Sequence, residues 1–169
     1  MYRRKSGKFY EPGIIVTQTQ RRTKMTIIPK PTEGFCTDSA TLPYINVSVF
    51  SVTELETVHE HIDIFYGEHT SQHAKLFAIK AGVDLAIDAE KKTIWTNSDC
   101  CVKWINNGTI SADVIEKGEI IKLSSIIHRL CKEHNIKVKF WSKRLWGKIP
   151  GHLTKGSINN ALANSQLKA

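Results

Sequence analysis

The stretch Lys92 to Asn107, KTIWTNSDCCVKWINN, decides the fold. Thr93, Ile94 and Trp95 are β-formers, and Val102, Trp104 and Ile105 then recur at helical spacing. A strand therefore runs into a helix through the turn Thr96-Asn97-Ser98-Asp99. Such corners, at the carboxyl edge of a sheet, are where α/β proteins place ligands and catalytic acids. This corner carries Asn97, a neutral amide.

Working outward, Phe35-Cys36-Thr37 reads as a short buried strand ending at Asp38. Tyr44 to Val52 alternates as a second strand, and Val58 to Tyr66 as a third. Short joints between them suggest an antiparallel meander. Thr70 or Ser71 can cap the next helix, with Ala74, Phe77, Ala78, Ala81 and Leu85 as its apolar stripe. Strand four is Lys92 to Thr96, and Gly108 breaks the helix that follows it. A longer helix runs from about Ile115 to His134 and stops at Asn135. Ile136 to Trp141 is the fifth strand. A basic loop from Ser142 to Gly156 leads to a last short helix, Ser157 to Leu167. Helical crossovers between strands one and four, and four and five, make parallel neighbours. The expected class is α/β, a five-stranded mixed sheet with helices on both faces.

The chain has 169 residues and net charge +8, unevenly spread. Residues 1–30 carry eight Lys or Arg against Glu11, and residues 132–169 carry eight against Glu133. Between them, residues 31–131 hold eight basic and fourteen acidic residues. Basic ends of this kind suit a polyanion such as nucleic acid, or serve simply as solvated tails. Residues 1–33 read as a basic flexible arm and 34–169 as the domain. Arg3-Arg4-Lys5 and Arg21-Arg22-Thr23-Lys24 also match, weakly, a bipartite nuclear-import signal. No run of 18 apolar residues exists, and no apolar stretch follows the first basic residues. The expectation is neither a membrane span nor a secretory signal. Cys36, Cys100, Cys101 and Cys131 lack C-x-x-C spacing and read as reduced thiols of an intracellular protein, cytoplasmic or nuclear.

Four stretches carry a family resemblance: Phe35-Cys36-Thr37-Asp38-Ser39-Ala40, His69-Thr70-Ser71-Gln72-His73-Ala74-Lys75-Leu76, Thr96-Asn97-Ser98 and Asn160-Ala161-Leu162-Ala163-Asn164. Together they resemble the RNase H domain of retroviral reverse transcriptases, most nearly the gammaretrovirus and foamy-virus type. The spacings, 37 residues from Asp38 to Lys75 and 22 from Lys75 to Asn97, fit that family. The resemblance implies an RNase H-like sheet of strand order 3-2-1-4-5. It also implies cleavage of the RNA strand of RNA–DNA hybrids by two Mg²⁺ ions held on four carboxylates. Carried over position by position, those slots are Asp38, Lys75, Asn97 and Asn164. Asp38 alone keeps the acid. Mg²⁺ gives up water only to anionic oxygens, and Lys75 puts a positive charge where a metal would sit. The expectation is a degenerate site without metal or cofactor, with Lys75 paired to Asp38.

Two plainer readings stand beside it: Lys75 snorkelling from a helix surface, and Asn97 capping the next helix. His152, in Pro150-Gly151-His152, resembles the family's Pro-Gly-His and is a possible remnant. Rival acids are Asp63, Glu68 and Asp99. His69 and His73, four apart, lack a third zinc ligand.

For nucleic-acid contact the candidates are Lys137, Lys139, Lys143, Arg144, Lys148 and Lys155, with Arg3, Arg4, Arg21 and Arg22 on the arm. Trp141 and Trp146 are interleaved as stacking platforms. The family's basic helix between strands four and five has no counterpart in residues 109–120. The leading expectation is a catalytically inactive domain that binds nucleic acid without sequence preference. The alternatives are a protein-interaction module, viral or host-adopted, binding a polymerase, a nuclease or itself, and a residual Mg²⁺-dependent hybrid ribonuclease.

Overall fold

The computed structural model describes residues 27–41, 45–63, 71–108, 110 and 117–150. The arm residues Arg3, Arg4, Arg21 and Arg22, the final helix, and His69, His152, Lys155 and Asn164 lie outside them.

Five strands form one sheet: β1 (Phe35–Ala40), β2 (Ile45–Ser51), β3 (Glu56–Asp63), β4 (Thr93–Thr96) and β5 (Lys137–Phe140). Their order is β3-β2-β1-β4-β5, as expected. The meander β1–β2–β3 is antiparallel, while β4 runs parallel to both β1 and β5. A hydrogen-bonded turn, Leu55 N–H to the Ser51 carbonyl at 2.9 Å, joins β2 to β3. Within it the Ser51 hydroxyl donates to the Glu54 carboxylate.

Three helices, α1 (Ser71–Asp88), α2 (Asp99–Asn107) and α3 (Lys117–His134), pack on one face. Their apolar residues meet Phe35, Val49, Ile94 and Val138 from the sheet. Cys36, Trp95 and the residues after β5 form a second cluster on the other face, against the single-turn helix α4 (Lys143–Trp146).

The alternation expected of β2 is absent, because residues 45–49 are buried on both faces. Asn46 is among them, at 3% exposed. The stripe on α1 is broader than expected. His73, Ala74, Leu76, Ala78, Ile79, Gly82, Val83 and Ala86 are buried, while Phe77, Ala81 and Leu85 are only half-buried. A helix wedged between a sheet and a second helix buries more than one face, and α1 touches β1, β2, β4 and α3.

The boundaries of α2 follow local chemistry. Ser98 caps it, its hydroxyl accepting from the Cys101 amide at 3.3 Å. Asp99 lies in the first turn, where the helix dipole favours an anion, and pairs with Lys103 at 2.6 Å. Gly108 ends it in the left-handed region at φ 69°, its amide bonded to the Trp104 carbonyl. The cap is therefore Ser98 rather than Asn97. Asn135, at φ 53°, turns the chain from α3 into β5. No helix among the described residues is long and apolar enough to cross a membrane.

Candidate functional site: a lysine-rich cleft at the carboxyl edge

The parallel register of β1 and β4 places Thr37 opposite Thr96. The next residue of each chain, Asp38 and Asn97, therefore emerges side by side at the carboxyl edge of the sheet. Both line a cleft of about 360 Å³. Ser39 adds a hydroxyl, and Lys75 enters from the first turns of α1. The Trp141 amide donates to the Thr96 carbonyl at 2.8 Å and anchors the chain after β5. From there Lys143, Lys148 and Ile149 close the cleft.

Three of the four sequence-derived slots, Asp38, Lys75 and Asn97, thus share one cavity. Asp38 is only 7% exposed. One of its carboxylate oxygens accepts from the Ser39 amide at 2.9 Å. Lys75, the expected partner of Asp38, lines the same cleft. Lys75 is half-buried and shares the cleft with Lys143 and Lys148. The described lining thus includes three lysines and one aspartate.

A metal fits this lining poorly. Divalent Mg²⁺ needs anionic oxygens to displace its water, and one carboxylate beside three ammonium groups supplies too few. No group of three His, Cys, Asp or Glu among the described residues can hold a metal ion. The rival acid Asp99 is committed to the helix turn and to Lys103. His73 is buried, stacks on Phe77 at 4.7 Å, and lies 3.8 Å from a Glu119 carboxylate oxygen. Cys101, beside the cleft, is no nucleophile, because burial pushes its thiol up to about 11.

The nucleic-acid candidates divide. Lys137, Lys139, Lys143 and Arg144 are exposed along β5 and α4, and Lys148 is exposed just after α4. Trp141 is a correction. It is 0% exposed, its indole N–H donates to the Gly147 carbonyl at 2.9 Å, and its ring meets Trp95 and Trp146 edge-on. A fully enclosed ring has no face for a base, so Trp141 is core. Trp146 is half-buried and its indole N–H reaches the Ile28 carbonyl at 3.5 Å. Sequence reasoning missed Ser39 and Ile149, and it assigned Lys143 and Lys148 to a separate surface. The segment from Ser142 reads in sequence only as a basic loop, and the bond of the Trp141 amide to the Thr96 carbonyl shows where it folds back.

No family model and no curated protein matches the chain. Solved structures do match. RNase H1 from the halophilic archaeon Halobacterium salinarum aligns at 15% identity and TM-score 0.53, over 75% of this chain and 97% of that one. LC11-RNase H1, isolated from compost by a metagenomic approach, aligns at 15% and 0.56, over 78% and 99%. The same enzyme in complex with an RNA/DNA hybrid aligns at 18% and 0.50, over 76% and 97%. At these identities the likeness is one of fold: the chain has the RNase H-like fold.

Proposed function

We propose that this chain is an RNase H-like domain of the retroviral type that has lost its metal site and holds nucleic acid by charge rather than cutting it. One observation carries the reading: among the described residues, the cleft at the carboxyl edge of β1 and β4 is lined by one carboxylate residue, Asp38, and three lysines. Two-metal hydrolysis requires a carboxylate cage to fix both ions about the attacking and leaving oxygens. With Lys75 and Asn97 in two of those positions, and Asn164 in the fourth by resemblance, that cage is gone. The exposed row Lys137, Lys139, Lys143, Arg144 and Lys148 supplies phosphate contacts instead. Lys155 and the arm residues Arg3, Arg4, Arg21 and Arg22 add charge of the same sign.

Contacts to phosphates carry no base information, so binding should ignore sequence and weaken steeply with salt. The fold neighbour solved with an RNA/DNA hybrid supports nucleic acid as the ligand class. Free thiols at all four cysteines fit a reducing, intracellular setting.

The test is a labelled RNA–DNA hybrid incubated with Mg²⁺ or Mn²⁺, beside a gel-shift series in EDTA. The expected result is an intact hybrid and a metal-independent, salt-sensitive shift. Cleavage, or an affinity unmoved by salt, overturns the proposal. A second arm installs Lys75→Glu, Asn97→Asp and Asn164→Asp together, which should create Mg²⁺-dependent thermal stabilisation absent from the parent.

A protein-binding role has one observation of its own. β3 is an edge strand carrying Val58, 38% exposed, with Glu56 and Glu60, and the turn before it carries Glu54 and Leu55, the latter 73% exposed. An open sheet edge can accept a partner's strand. Its acids would favour a basic segment.

A further inference from the structure

The cleft has a property that loss of catalysis does not explain. Lys75, Lys143 and Lys148 come from two separate regions of the chain, the start of α1 and the segment after β5. All three line one cavity together with Ser39 and Asn97, residues whose side chains can donate hydrogen bonds. A site merely emptied of metal would need one positive charge to balance Asp38. This one has three, an excess of two among the described lining residues.

We infer that the cleft seats the terminal phosphate monoester of a nucleic-acid strand, with ammonium groups where divalent ions would stand. The inference rests on the reading of the domain as a nucleic-acid binder and goes further by naming the group the cleft takes. Charge selects the ligand. A phosphate monoester carries about −1.5 to −2 at neutral pH and three acceptor oxygens, whereas a phosphate inside a strand carries one charge. An excess of two matches the monoester. Lysine binds phosphate as a point charge without demanding planar geometry, so three lysines can surround one group. Size agrees, since about 360 Å³ lies at the low end of small-ligand sites and suits a phosphate with part of its nucleoside. Asp38 opposes the anion. Its oxygen is occupied by the Ser39 amide, and it limits the site's charge to that of one monoester.

The experiment compares one single-stranded oligonucleotide bearing a 5′-hydroxyl, a 5′-phosphate or a 3′-phosphate, by fluorescence anisotropy with the full chain in EDTA. A phosphorylated end should bind about tenfold more tightly than the hydroxyl end, as one or two charge-assisted contacts would give. A nucleoside monophosphate should compete for that increment only, and whichever end shows the preference identifies the terminus. Lys75→Gln should bring the phosphorylated end down to the hydroxyl end. Lys137→Gln, away from the cleft, should weaken all three strands alike. Asp38→Asn should widen the preference, the opposite of its effect on a metal site. Melting curves confirm that each variant folds. Equal affinity for all ends, a preference that requires Mg²⁺, or a preference that survives Lys75→Gln overturns the inference and leaves the domain a nucleic-acid binder. Failure to bind any strand overturns both.

Discussion

Gly82 lies inside α1, where glycine costs about 1 kcal/mol relative to alanine in helix propensity. A Cβ there would lie 2.5 Å from Cγ2 of Thr37, a buried residue whose hydroxyl is bonded to the Trp95 carbonyl. Overpacking of this kind costs about 1–3 kcal/mol, enough to outweigh the propensity gain. Gly82→Ala should therefore lower the urea midpoint without changing the slope, and a raised midpoint would show that the helix can move away. Thr37 directly precedes Asp38, so the same close approach fixes the floor of the cleft. The cysteines give a second residue-scale test. Burial pushes Cys36 up to about 12, and Cys101 and Cys131 up to about 11, while Cys100 is exposed. A thiol reagent at mildly alkaline pH should titrate one group in the native protein and four in denaturant. These folded values lie above the ordinary thiol value of 9.0. The thiols' contribution is thus complete below pH 9 and is lost as pH rises toward about 11–12. Denaturation midpoints measured from pH 8 upward should fall through that window. At this scale the sequence shows Asn97 and Lys75 at the corner positions, but their neighbours Lys143 and Lys148 lie too far along the chain to be inferred.

Among the elements, the strand-to-helix corner at residues 92–107 is legible because β-branched residues, a Ser98 cap and a Gly108 stop are all local signals. The stripe of α1 is not, since which faces a helix buries depends on what surrounds it. The tryptophan face is likewise hidden. In the sequence Trp141 and Trp146 sit among lysines and look like stacking platforms, yet they meet Trp95 and each other with ring centroids 5.3 to 6.2 Å apart. Trp141→Ala should cost about 3–5 kcal/mol, the range for large core aromatics, and be read as a loss of folding rather than of ligand affinity alone. The chain before β1 is part of the same face. The Ile28 and Glu33 carbonyls accept the indole N–H groups of Trp146 and Trp95, and the Thr32 carbonyl accepts the Thr53 hydroxyl. We therefore place the start of the domain near residue 27 rather than 34. Removing residues 1–33 should lower the melting temperature more than removing 1–26, and equal curves would restore the later boundary.

Over the whole molecule, two basic ends flank an acidic middle, and the fold decides where those charges meet. β5 lies at one edge of the sheet with Lys137 and Lys139 outward, and β3 lies at the other with Glu56 and Glu60. Affinity for a long nucleic acid should fall linearly in a plot of log affinity against log salt. Deleting residues 1–26, which carry seven Lys or Arg, should reduce that slope without abolishing binding. A slope that vanishes with the arm would shift the binding role from the domain to the arm. Titration with Mg²⁺ should leave the melting temperature unchanged, because an ion that does not bind the native state cannot stabilise it. The sequence by itself determined the elements and their mixed-sheet class, which follow from local periodicity and crossover length, while the strand order came from the family resemblance. The lysine-lined cleft was decided by tertiary structure alone. Residues 75, 143 and 148 become neighbours only when β4 lies between β1 and β5 and the chain turns back over Thr96, and Coulomb attraction depends on distance in space, not along the chain.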